Sequence, residues 1–118
     1  VYNNALKMVY TPLSFEQAIL DRKAWGHIFE SAVGAYLASQ AFVHRFEVYY
    51  WRERNDEVDF ILRKNGAIVA IEVKSNAEKQ TEGLEKFKQM FNPKSAFIVG
   101  DGGISAEDFF TMDIRKLF

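Results

Sequence analysis

The stretch "EVDFILRKNGAIVAIEVK", Glu57 to Lys74, places two apolar runs on either side of Asn65-Gly66. Asn-Gly is the strongest short hairpin signal, because a two-residue type I′ turn needs positive φ at both central positions. Runs 57–63 and 68–75 are therefore predicted as antiparallel strands. Each is apolar on both faces, as expected of a sheet covered by helices on both sides. Glu57, Asp59, Glu72 and Lys74 interrupt that pattern and call for a reason.

Counting outward from a minimal turn sets Lys64 against Ala67, Arg63 against Ile68, Leu62 against Val69, Ile61 against Ala70 and Phe60 against Ile71. The next pair would be Asp59 with Glu72, and two further steps would bring Glu57 opposite Lys74. Side chains two apart share a face, so all four would converge. Directly opposed Cβ atoms lie roughly 4.5–5.5 Å apart. Two carboxylates at that spacing repel, and in a covered sheet both are also desolvated. A divalent cation held between them would offset both penalties. In the competing account Glu57 pairs with Lys74, and Asp59 or Glu72 is protonated or reaches solvent. Spacing alone does not choose between the two.

The rest of the chain supplies the cover for this hairpin. "TPLSFEQAILD" carries a helix start, with Ser14 as cap and Gln17 three residues on. A second helix is predicted from after Asp21 to about Ala41. Its apolar face is Trp25, Ile28, Phe29, Ala32, Val33, Tyr36 and Leu37. "FEVYYWRE" reads as a strand rich in aromatic and β-branched residues. "EGLEKFKQMF" returns to helical spacing, with Leu84, Phe87, Met90 and Phe91 on one side and Asn92-Pro93 as the stop. "SAFIVGD" is a short strand closed by a glycine turn, and a short helix is expected from Ser105 in the tail.

Composition narrows the chemistry. With 118 residues, 48% of them apolar and 26% charged, the chain suits one folded domain rather than a disordered segment. It contains no cysteine, which excludes disulfides and thiolate metal sites. Only His27 and His44 could serve a nitrogen-ligated zinc, so the metal expected here is a hard cation on carboxylates. A net charge of −1 rules out a globally cationic nucleic-acid binder but not a local basic surface. No apolar run approaches the roughly 20 residues of a membrane span, and no signal-peptide pattern is present, so a cytoplasmic location is expected. The opening "VYNNALKMVY" starts mid-pattern, as a C-terminal fragment of a larger protein would.

Asp59, a turn, then Glu72-Val73-Lys74 resembles the D…(D/E)-x-K core of the PD-(D/E)XK nuclease superfamily, with Val58 where that core often has proline. "GHIFESAVGAYL", containing Glu30, resembles its helix-borne acid. More narrowly, "VYNNAL", "WGHIFESAVGAYL", "VYYWRERNDEVDFIL" and "IEVKSN" resemble an uncharacterised domain family found C-terminal to the ATPase module of prokaryotic AAA+-type ATPases. The resemblance implies a restriction-endonuclease-like α/β core, ordered helix–three strands–helix–strand, with a mixed sheet covered by helices. It implies metal-dependent hydrolysis of DNA phosphodiesters, with Mg²⁺ or Mn²⁺ on Asp59, Glu72 and the carbonyl of Val73. Glu30 would complete the metal shell or hold a coordinating water, and Lys74 would orient the attacking water or stabilise charge on the phosphate. DNA is the implied substrate and an N-terminal ATPase module on the same chain the implied partner, although no P-loop sequence occurs here. The rival expectation is a non-catalytic module that binds DNA or protein and couples it to the ATPase.

Gly26, Glu30 and Gly34 form an i, i+4, i+8 row, so small neighbours would let the helix approach the sheet and present the acid there. The plainer account leaves Glu30 at the solvent boundary. Glu57 would be a partner of Lys74 rather than a ligand. "HRFEVYYWRER" mixes His44, Arg45, Arg52 and Arg54 with Tyr49, Tyr50 and Trp51, a composition that grips nucleic acid or merely packs a strand; packing is the commoner use. Ser75 and Gln80 follow the lysine in what reads as a solvated loop. "GDGG" at 100–103 reads as a turn, since a phosphate loop would continue with lysine and a hydroxyl residue.

Overall fold

A computed structural model describes residues 22–76 and 81–118. The helix expected over "TPLSFEQAILD", with Ser14 and Gln17, and residue Gln80 lie outside these residues. Among them the order is α1 (Arg22–His44), β1 (Glu47–Glu53), β2 (Asp56–Lys64), β3 (Ala67–Lys74), α2 (Glu82–Phe91), β4 (Ser95–Gly100), α3 (Ala106–Thr111) and a 3₁₀ turn (Ile114–Leu117). The four strands form one sheet in the order β1-β2-β3-β4. The first three are antiparallel and β4 runs parallel to β3, so the sheet is mixed. A parallel return needs a crossover, and α2 provides it. No helix among the described residues is long and apolar enough to cross a membrane.

Helices cover both faces. On one side Phe29, Val33 and Leu37 of α1 form an i, i+4, i+8 stripe, packed with Leu62, Val69, Ile71, Val73, Val99, Phe109 and Ile114. Tyr36 meets the rings of Phe109 and Phe110 edge-on at 5.5 and 5.2 Å, which ties α3 to the same layer. On the other side Leu84 and Phe87 of α2 cover Val58, Ile61 and Ala70. Met90, expected on that apolar side, is 49% exposed. Leu84, Phe87 and Phe91 set the stripe, and Met90 falls to one flank of it. Phe91 keeps contact through the rings of Phe87 and Trp51, at 4.6 and 6.2 Å.

Helix ends follow local chemistry. α1 runs on to His44, past the expected end near Ala41, until Arg45 adopts φ 60°. Asn92 takes the left-handed conformation and its N–H returns to the carbonyl of Lys88, ending α2 before Pro93. Ser105 caps α3 by accepting the N–H of Asp108 at 3.1 Å, which places the tail helix where expected. Asp113 accepts the backbone N–H and the guanidinium of Arg115, and these bonds pull its carboxyl down to about 2.

The hairpin forms as counted, up to a point. Asn65 and Gly66 both have positive φ, 50° and 84°, and the β2–β3 ladder runs from Lys64–Ala67 to Phe60–Ile71. There it stops, and the expected pairs Asp59–Glu72 and Glu57–Lys74 are not part of it. Glu57 pairs instead with Arg52 of β1. The cause is a β-bulge: between the pairs Tyr49–Ile61 and Trp51–Val58, β2 holds one residue more than β1. Strict alternation would put Val58 and Ile61 on opposite faces, yet both pack in the α2 layer. A count that assumes uniform alternation therefore fails for every β2 residue before Phe60.

Two consequences are measurable. A Cβ on Gly83, in the first turn of α2, would collide with the backbone of Glu57. Gly83→Ala should thus destabilise the fold by about 1–3 kcal/mol in urea titration, as overpacking does; an unchanged midpoint would mean α2 does not rest on the bulge. The acid limb of stability should carry a contribution from Asp113. Its folded value of about 2 lies below the unfolded range, so the contribution is complete above the unfolded pKa of about 3.9 and is lost as pH falls through about 2. Asp113→Asn should flatten the loss of melting temperature across that window.

Candidate active site at the bulge

Asp59 is the residue that the bulge re-aims. Its Oδ2 accepts the backbone N–H of Val73 at 2.8 Å, in a buried bond across the gap where the ladder has ended. A side chain thus takes over the role a strand carbonyl would have had. Asp59 is 7% exposed and Glu72 1% exposed, and these two are the buried charged residues among those described. Ile71 and Val73 pack in the α1 layer, so alternation turns Glu72 and Lys74 towards the α2 side. The directly opposed pair of acids expected from the count does not form. Asp59 is bound to the residue that follows Glu72 rather than standing directly opposite it.

Burying a carboxylate costs several kcal/mol unless hydrogen bonds or a counter-charge compensate. Val73 supplies one such bond to Asp59, at 2.8 Å. The donor set is all oxygen, as a hard divalent cation requires. Among the described residues, however, no three His, Asp or Glu side chains gather closely enough to hold a metal.

Lys74 closes β3 and is half-buried. The ion pair with Glu57 in the competing account does not form: Glu57 is exposed and takes the hydroxyl of Tyr50 at 2.6 Å. Glu30 is half-buried on α1, the helix of the opposite layer. One turn earlier, a Cβ on Gly26 would stand 3.0 Å from the hydroxyl of Ser75, just past the end of β3. Asp59, Val73, Glu72 and Lys74 are therefore brought to one strand end, while Glu30 is placed near that end but in the other layer.

The basic–aromatic strand divides between core and solvent. Trp51 meets Phe87 edge-on at 5.3 Å and serves the core. Tyr49 and Tyr50 are exposed and donate to Glu47 and Glu57, each at 2.6 Å. Those bonds to carboxylates push both phenols up from their ordinary value. Arg63, not singled out from the sequence, bonds Glu47 at 2.9 Å and lies over the Tyr49 ring at 5.2 Å. Its charge is thereby neutralised locally. The sequence also gave no sign of a cavity of about 360 Å³ beside Lys74, walled by Trp25, Phe29 and Phe110. Trp25 carried a signal only as one more member of the apolar face.

The Asp59–Val73 bond can be tested without any assumption about activity. Asp59→Ala would leave a buried N–H unsatisfied and should cost about 1–3 kcal/mol. Asp59→Asn keeps an acceptor and should cost less, and amide exchange at Val73 should accelerate only in the alanine variant.

A family model described as a domain of unknown function, DUF4143, matches residues 25–112, a span that includes Glu30, Asp59, Glu72 and Lys74. No curated protein and no solved structure matches the chain. With the bulge, the buried acids and the strand-end lysine all inside the matched span, the chain belongs to the DUF4143 family, a domain family of unknown function.

Proposed function

We propose that this domain is a divalent-metal-dependent DNA phosphodiester hydrolase, working in the cytoplasm under an ATPase module on the same polypeptide. One observation carries the reading. The buried charged residues among those described are the two acids of the D…E-x-K pattern, and the lysine of that pattern ends β3, the strand that carries Glu72. Asp59, Glu72 and the Val73 carbonyl would hold Mg²⁺ or Mn²⁺, with Glu30 as a further acid from α1. When bound, such an ion polarises a phosphoryl oxygen and makes a bound water more acidic. The chain's own contribution is positional. The Val73 N–H fixes the Asp59 carboxylate, burial keeps bulk water from both acids, and the ammonium of Lys74 stabilises negative charge growing on a phosphate. DNA as substrate and the ATPase as partner rest on the sequence resemblance.

A second reading is a non-catalytic module that binds DNA or protein for the ATPase. The lack of a three-acid group among the described residues favours it, as does the backbone bond that gives Asp59 a structural role of its own.

Cleavage of DNA in Mg²⁺ or Mn²⁺ separates the two. The first reading expects turnover that falls about 100-fold or more in Asp59→Asn, Glu72→Gln and Lys74→Ala. Equal residual cleavage in all three would reveal a contaminant and remove the proposal. Manganese should also raise the melting temperature of the parent protein, by the equivalent of about 2.7 kcal/mol at a hundredfold excess over Kd. That gain should vanish in Asp59→Asn. DNA binding that is salt-dependent, indifferent to EDTA and without turnover would establish the second reading.

A further inference from the structure

β1 is the first strand of the sheet and, among the described residues, pairs on one side only, with β2. Its other side presents the row of backbone N–H and C=O groups that an edge strand carries, a template for one more strand. Edges are commonly blunted by proline or lysine, or kept very short. β1 runs for 7 residues, EVYYWRE, and contains neither. The large apolar side chains left exposed among the described residues gather around this same edge. They are Phe42, Val43, Tyr49, Tyr50, Met90 and Phe91, with Phe42 83% exposed. Tyr49 and Tyr50 belong to β1 itself. Phe42 and Val43 stand in the last turn of α1, which packs on β1 from one face. Phe91 ends α2 on the other face and meets the Trp51 ring at 6.2 Å, with Met90 beside it. Apolar surface concentrated about one feature marks an interaction site, where scattered exposure would not.

We propose that β1 pairs antiparallel with β1 of a second copy of this chain, centred on Tyr49, so that one sheet runs through both copies. The strand's own sequence selects that occupant. A two-fold axis normal to the sheet sets one residue opposite itself and fixes every other pair. Centred on Tyr50, it would oppose Glu47 to Glu53, acid against acid, at both ends. Centred on Tyr49, it opposes Val48 to Tyr50 and brings Arg45, just before the strand, to Glu53, each pair occurring twice. Opposite charges and aromatic–β-branched pairs stabilise antiparallel strands, whereas like charges directly opposed destabilise them. At a net charge of −1, two copies repel one another little. β1 carries none of the residues of the hydrolase reading, so the pairing goes beyond that reading and stands or falls without it.

The test uses the full chain, whose lack of cysteine lets a single introduced thiol report position. Sedimentation equilibrium should show a dimer that dissociates on dilution, and β1 amides should exchange more slowly as the dimer fills. Tyr49→Lys sets two cations face to face at the axis. It should weaken the dimer by about 10-fold or more, in a protein whose melting curve is checked first. Tyr49→Cys should cross-link to its copy under mild oxidation, since opposed Cβ atoms lie roughly 4.5–5.5 Å apart, close to disulfide range. Tyr50→Cys should not, because it lies diagonally from its copy at roughly 7–8 Å. A chain that stays monomeric at about 1 mM overturns the proposal and leaves the edge to a strand of another protein. A dimer indifferent to Tyr49→Lys, or one cross-linked by Tyr50→Cys and not by Tyr49→Cys, overturns it equally.

Discussion

The bond from the Val73 amide to the Asp59 carboxylate holds together a sheet that has been opened on purpose at its centre. β2 and β3 part after Phe60–Ile71, and without a substitute acceptor the backbone of β3 would carry a buried, unsatisfied donor. Asp59 supplies that acceptor from inside the bulge. The extra residue lets Val58 join Ile61 in the α2 layer, and it brings the Glu57 backbone out to where Gly83 can rest on it. One side chain, one bulge and one glycine are thus coupled. They set where α2 docks, and α2 is the crossover that returns the chain to β4.

The parts legible in the sequence were those fixed by local chemistry. Asn65-Gly66 determined the turn and the ladder as far as Phe60–Ile71, because positive φ at two successive residues admits few alternatives. Ser105 and Asn92 marked helix ends for similarly local reasons. The i, i+4, i+8 spacing of Phe29, Val33 and Leu37 gave the buried stripe. The bulge was not legible. Val58-Asp59-Phe60 contains no glycine or proline to announce a break, and the bond that compensates it comes from a residue fourteen positions away. The cavity was equally hidden, since Trp25 on α1 and Phe110 on α3 become neighbours only through tertiary packing.

Of the two acids, the burial was readable and the arrangement was not. Asp59 and Glu72 stood out as acids in apolar strands, and burial distinguishes them again. The face-to-face geometry inferred from counting gave way to an offset one, in which Asp59 is locked to the backbone beside Glu72. Glu30 marks a further boundary. Sequence spacing can put an acid on the sheet-facing side of a helix, but whether it meets acids on the far face of the sheet depends on how the strand ends splay.

That splay is what gives the C-terminal end of β3 its chemical interest. Within a covered sheet the two faces are isolated from one another, and a ligand on one side has no access to groups on the other. At a strand end the isolation lapses. Lys74 occupies such an end, on the strand that carries the buried Glu72 and the Val73 amide bound to Asp59. Under the proposed reading a DNA phosphodiester is what meets that end, and the bulge at Asp59 is the device that parts β2 from β3 there.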